Sequence, residues 1–246
     1  MSSPVSIGEV LFSSVDKVFV INLDRRKDRL REMEAQFASI GLGFDHDKIE
    51  RFSAISPDQI AGFPSLGARG CFLSHLEILK WFQNSDWSRV AILEDDADFD
   101  LPDIETLQRY LQNLENHKFD IFYGGYHFPD RFAEMGAGIH DLTEKLIIGG
   151  THCYILDRSI LERLILFLED VQRKLADGIE VDGFIDNIIS SFWIENQDCR
   201  VKIAVPAFAF QRRSATDIHA PNPLDTIPVI RNLTNLARKL APRRKS

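Results

Sequence analysis

Short apolar runs alternate along the chain with stretches whose apolar residues recur every three or four positions. Residues 17–23, Lys-Val-Phe-Val-Ile-Asn-Leu, read as a buried strand. A charged turn over 24–28 leads into a helix reaching about Ile40, where Leu30, Met33, Phe37 and Ile40 share a face and Gly41 is a natural stop. Residues 44–52 hold a second strand, and 56–67, with Pro57, Gly62, Pro64 and Gly67, form a loop. A helix over 69–83 turns Cys71, Ile78, Leu79 and Phe82 inward, ahead of an inner strand at 90–93. Leu101-Pro102 opens a helix to about Leu114, and 120–123 is a short strand ending in Gly124-Gly125. Residues 127–140 read as a loop, and 146–156 as a strand or hairpin kinked at Gly149-Gly150. Helices over 159–176 and 182–192 precede a last strand at 201–205, ended by Pro206. Strands alternating with helices predict an α/β fold: one domain over 1–229, with a mostly parallel central sheet flanked by helices.

Composition narrows the class. The 246 residues are 44% hydrophobic and 27% charged, as in an ordinary globular protein. No apolar run approaches the ~20 residues that span a bilayer, and the first residues lack a basic segment followed by an apolar one. Cys71, Cys153 and Cys199 are odd in number and far apart, so we expect reduced thiols, no zinc site from cysteine spacing, and a cytoplasmic location. The net charge is −8, yet residues 230–246 carry six basic residues and no acid, which leaves −14 on 1–229. Such an acidic body argues against a nucleic-acid partner. In the tail, Ile230, Leu233, Leu236 or Ala237, and Leu240 form a stripe beside the basic residues. That pattern fits either an amphipathic helix lying peripherally on an anionic membrane or a disordered basic tail.

The chemistry concentrates where the run Val90–Leu93 ends in Glu94, Asp95, Asp96 and Asp98. Open α/β sheets place ligands at such C-terminal strand tips, and clustered carboxylates suit Mg²⁺ or Mn²⁺, although an acidic turn can also be solvated surface. Arg25 and Arg29, one helical turn apart, could face a phosphate or a nucleobase, or simply begin a charged helix capped by Asp24. Ser74 and His75 are adjacent on a helix and project about 100° apart, so they form no nucleophile–base pair; His75 is a substrate contact or a structural histidine. Asp182 and Asp186 share a helical face, so one is a candidate general base, while Asp182 could equally cap the helix. Gln211, Asp217 and His219 sit in a late polar loop, where His219 could complete a metal shell or stay exposed. No GxGxxG, GxxxxGK[ST] or GxSxG pattern is present, which weakens dinucleotide, P-loop and hydrolase readings.

In order and wording, these segments resemble glycosyltransferase family 25, which includes lipooligosaccharide and collagen galactosyltransferases. The likeness rests on Val20-Ile21-Asn22-Leu23-Asp24-Arg25 with Asp28-Arg29, then Gly70-Cys71-Phe72-Leu73-Ser74-His75 and Leu93-Glu94-Asp95-Asp96. It continues through Gly150-Thr151-His152-Cys153-Tyr154-Ile155 to Pro206, Gln211 and the 214–218 loop. The chain departs from the family at Ala68 or Arg69, where an acid is common, and in Ala215-Thr216-Asp217-Ile218. The resemblance implies a GT-A-like fold, a UDP-sugar donor such as UDP-galactose, a glycan or glycolipid acceptor, Mn²⁺ or Mg²⁺, and inversion at the transferred carbon. It places the donor at Asn22, Leu23, Arg25, Arg29, Ser74, His75, Glu94, Asp95 and Gln211. We expect the metal at Asp96 in one of two registers, the family-like Glu94-Asp95-Asp96 or Asp96-Ala97-Asp98 with its literal DxD spacing, with His219 as a further ligand and the base at Asp182 or Asp186. A catalytically silent relative acting as a nucleotide-sugar-binding or interaction protein is the alternative.

Overall fold

Strand pairing begins where the longest apolar runs lie. In the computed structural model, which describes residues 5–212 except 117 and 128, strands β1 (Lys17–Asn22) and β3 (Arg89–Glu94) run parallel, with β2 (Ile49–Ser53) on the other side of β1. Helices α1 (Ile7–Leu11) and α2 (Lys27–Ser39) belong to this half, and α3 (Leu66–Gln83) crosses from β2 to β3. Then come β4 (Ala97–Phe99), α4 (Ile104–Asn116), β5 (Ile121–Gly125), β6 (Gly138–Leu142), β7 (Cys153–Asp157), α5 (Leu161–Ala176), α6 (Ile185–Glu195), β8 (Val201–Val205) and β9 (Ala209–Gln211). The sheet order is β2-β1-β3-β7-β5-β8-β6, and a short β4–β9 ladder joins it through β5.

Both faces of the sheet are covered, so the inner strands are apolar throughout rather than alternating. Side-chain alternation still sorts them. Phe19, Ile21, Val90 and Ile92 pack with Phe72, Leu79, Leu164 and Ile189 on the α3, α5 and α6 side. Val18, Val20, Ala91 and Leu93 pack with Met33, Phe37 and Leu107 on the α2 and α4 side. The two clusters form the core of one α/β domain. No helix among the described residues is long and apolar enough to cross a membrane.

Three expectations are corrected. The sheet is mixed rather than mostly parallel: β7 runs antiparallel between β3 and β5, and β6 runs antiparallel to β8. The 127–140 segment holds a 3-10 turn over Pro129–Met135 and edge strand β6, whose half-exposed pattern carries no apolar run. The kinked strand expected over 146–156 is only β7; residues 143–152 are irregular, and Gly150 has φ of +90°. Tail residues 230–246 lie outside the described residues.

Candidate active site

Register builds the site. Ile21 pairs with Glu94, so the C-terminal tips of β1 and β3 end side by side and bring Asn22 to Asp95. Asn22 is buried; its Nδ2 donates to Asp95 Oδ2 at 2.7 Å and to the Arg26 carbonyl at 3.2 Å, and its Oδ1 accepts from Arg51 at 3.0 Å. Arg29, from the first turn of α2, donates to Asp95 Oδ1 at 2.7 Å and reaches Asp96 Oδ2 at 3.2 Å. Both Asp95 oxygens are therefore engaged within the protein.

A cleft of about 870 Å³, its open mouth included, lies over these tips. Its floor is Glu94, Asp95 and Asp96 and one wall carries Leu23, Arg25 and Arg29. The other wall is the 54–57 segment with the start of α3, from Leu66 to Cys71. Ser65 caps α3 by accepting from the Ala68 amide at 3.0 Å. At Gly70, a Cβ would stand 2.5 Å from the Ile55 carbonyl oxygen, so only glycine lets the helix approach the 54–57 wall this closely.

The floor carboxylates differ in partners. Burial pushes the Glu94 carboxyl up, but the His75 imidazole and the Thr151 hydroxyl, which donates at 2.6 Å, outweigh it and hold the group down at about 2. Asp96 behaves oppositely. Burial, with Glu94 and Asp95 nearby, overrides Arg29 and Arg212 and pushes Asp96 up to about 7. Its Oδ1 is buried without a hydrogen-bond partner, and Gln211 Nε2 stands 3.5 Å from Oδ2, at the outer limit of such a bond. A buried carboxylate oxygen with no donor, beside two further carboxylates at the base of a cleft, fits a hard divalent cation.

Other expected residues lie away from the cleft. Asp98 is neutralised by Arg212, which also bridges to Glu32 at 2.6 Å, so its side chain is already committed. Of the two registers, Glu94-Asp95-Asp96 lies on the cleft floor, whereas Asp98 of Asp96-Ala97-Asp98 is paired with Arg212 outside it. Ser74 is fully buried, donating to the Gly70 carbonyl at 2.7 Å and accepting from the Ile55 amide at 2.9 Å; it fastens the wall and does not line the cleft. His75 lies fully buried behind the floor, with Nδ1 2.7 Å from the Tyr154 hydroxyl. Asp182 is exposed, accepting from the Phe184 amide and from Asn187 at the approach to α6. Asp186 is half-buried and accepts from the Gly150 amide at 2.9 Å. His219 and the 214–218 loop lie outside the described residues.

Sequence reasoning missed a second row. His127 Nε2 is 2.9 Å from Gln211 Oε1, and its ring stacks on His152, with centroids 5.9 Å apart. Burial pushes His152 down to about 4, so it is neutral at ordinary pH. Arg212, whose amide donates to the Asp96 carbonyl at 2.6 Å, is the other unforeseen neighbour. These contacts join positions far apart in sequence, and only the Gly150–Ile155 motif hinted at His152.

Residues 15–136 match the model of glycosyltransferase family 25 (LPS biosynthesis protein). The chain belongs to this family. A Drosophila melanogaster glycosyltransferase 25 family member is 30% identical over 190 residues, covering 70% of this chain and 30% of that protein. Xenopus laevis procollagen galactosyltransferase 1-B is 31% identical over 123 residues, covering 44% of this chain and 20% of that protein. The family 25 chain thus spans under a third of the length of these relatives. A solved glycosyltransferase involved in the glycosylation of the major capsid of PBCV-1 aligns at 11% identity and a TM-score of 0.34, over 76% of this chain and 94% of that one.

Proposed function

We propose that the cleft binds a nucleotide-sugar donor and that the chain transfers the sugar, galactose from UDP-galactose by family likeness, to a hydroxyl of a glycan or glycolipid. The carrying observation is an unsatisfied carboxylate oxygen in a cleft that basic side chains also line. Asp96 Oδ1 is buried and lacks a donor, while Arg25 and Arg29 line the facing wall. Asp96, with Glu94 beside it, would hold Mn²⁺ or Mg²⁺, which when bound offsets charge on the leaving diphosphate. Arg25 and Arg29 supply cationic donors for phosphate oxygens, and Leu23, Ala54 and Ile55 offer an apolar slot for a base.

Inversion requires an acceptor hydroxyl to lose its proton as it attacks opposite the leaving group. Asp186 suits that role better than Asp182, because its charge acts on Cys71, which lines the cleft, whereas Asp182 lies exposed at the approach to α6. Asp182 spends both oxygens on the entry to α6, and Asp186 accepts one amide on each oxygen, from Gly150 and from Asn187. A cytoplasmic setting against a membrane, with 230–246 as the contact, belongs to the same reading.

The test is thermal unfolding of the full chain with UDP, ADP and GDP, each with and without Mn²⁺. A rise in midpoint with UDP that needs Mn²⁺ is expected. Equal shifts for all three nucleotides, or none, would refute the proposal.

A further inference from the structure

Behind the carboxylate floor lies a second group of ligand-type atoms with different chemistry. Cys71 and His75 are four residues apart on α3 and therefore share one face of the helix. That face meets the tip of β3 at Glu94. The Cys71 thiol, the His75 imidazole and a Glu94 carboxylate oxygen offer one ligand atom each, all within 4.8 Å of one another. His75 is completely buried, and its Nε2 points at Glu94 Oε1 from 3.7 Å, beyond hydrogen-bond reach, without any hydrogen-bond partner. An unsatisfied imidazole nitrogen in such a place needs a reason.

We propose that Cys71, His75 and Glu94 form a site for a thiophilic divalent cation, Zn²⁺ in the first place, which shares Glu94 with the oxygen-ligand position at Asp96 but does not use Asp96 itself. Thiolate and imidazole select zinc over magnesium or manganese. For three atoms at this spacing there is a point within about 2.8 Å of each, and drawing them in by roughly half an ångström reaches zinc–ligand distances of about 2.0–2.3 Å. Binding releases the Cys71 thiol proton to solvent. Tyr154 lies 2.7 Å from Nδ1, so when the ion arrives the proton that Nε2 otherwise turns towards Glu94 is lost from Nε2, and an Nδ1–H donated to the tyrosine hydroxyl leaves the Nε2 lone pair for the ion. Tyr154 is thus a positioning residue. Cys71 and Glu94 both line the cleft, so the fourth coordination position opens towards whatever enters it. The site does not depend on the cleft taking a sugar nucleotide.

The full chain, stripped with chelator, is titrated with Co²⁺ and then Zn²⁺. One equivalent of Co²⁺ should give a thiolate-to-cobalt absorption band in the near ultraviolet, which one equivalent of Zn²⁺ abolishes. Cys71→Ser should lose the band while melting like the unaltered chain, and Tyr154→Phe should keep it with affinity weakened about tenfold. Asp96→Asn should keep the band at full strength while losing Mn²⁺-dependent UDP binding, so failure of either site is seen independently of the other. No band in the unaltered chain, or an equal band in Cys71→Ser, overturns the proposal. Should Cys71→Ser fail to fold, the unaltered chain decides: zinc must protect one cysteine, identified by peptide mapping as Cys71, from alkylation.

Discussion

Two aspartates at opposite ends of the sheet are buried alike and serve opposite ends. Asp120, just before β5, is 4% exposed; Asp96, just beyond β3, is 5% exposed. Asp120 is saturated: it accepts from the Arg200 amide at 2.8 Å, from the Arg200 guanidinium at 2.7 and 3.0 Å, and from Ser159 at 2.7 Å. Burial raises its carboxyl, but Arg200 and Ser159 outweigh that and hold it below its ordinary value. Asp96 has the Arg29 ion pair, a marginal amide contact and one oxygen without a donor, and it is pushed up to about 7. Equal burial with unequal satisfaction separates a group that locks the fold from one kept ready for something not yet bound.

The sharpest way to break this contrast is Asp96→Asn. It should cut transfer by about 10²–10³-fold, as removal of charge stabilisation does elsewhere, without lowering the denaturation midpoint. Asp98→Asn, which touches a carboxylate already paired with Arg212, should leave UDP binding with Mn²⁺ unchanged; a loss like that of Asp96→Asn would instead favour the Asp96-Ala97-Asp98 register. Next in size is Asp120→Ala. It should cost roughly 2–3 kcal/mol in urea denaturation yet leave donor affinity intact, and lost affinity with normal stability would dissolve the distinction.

The smallest effect is in pH. Asp120, lowered, stabilises the fold above the ordinary value of 3.8, and that stability is lost as pH falls through its folded value. Asp96, raised, has the reverse sign: its favourable state is protonated, and stability from it is lost as pH rises from 3.8 through about 7. Protons and cations compete at Asp96, so Mn²⁺ affinity should drop about tenfold from pH 8 to pH 6 in calorimetry. A flat profile would mean that Asp96 does not hold the ion.

The same contrast explains what could be read from the sequence. Strands β1 and β3 were legible because both faces are buried, and their ends exposed the Glu94-Asp95-Asp96 cluster directly. Strands β4, β6 and β9 were not, since three to five half-buried residues depend on distant partners for their pairing. Partners also decided the site. Nothing local tells Asp96 from Asp98; Arg212, 114 residues away from Asp98, does. Ser74 was assigned to the donor by family resemblance, yet its oxygen is occupied by backbone at Gly70 and Ile55. The pairing of Cys71 with His75 was present as a four-residue interval, and was passed over because cysteine spacing alone was weighed.

Gly70 leaves a last consequence for how such a catalyst could change its substrate. One side of the cleft is fastened by main-chain contact between α3 and Ile55, where even a methyl group finds no room. Broader or narrower donors must therefore be accommodated by exchanges on the opposite bank, at Leu23 and Arg25, where side chains set the boundary.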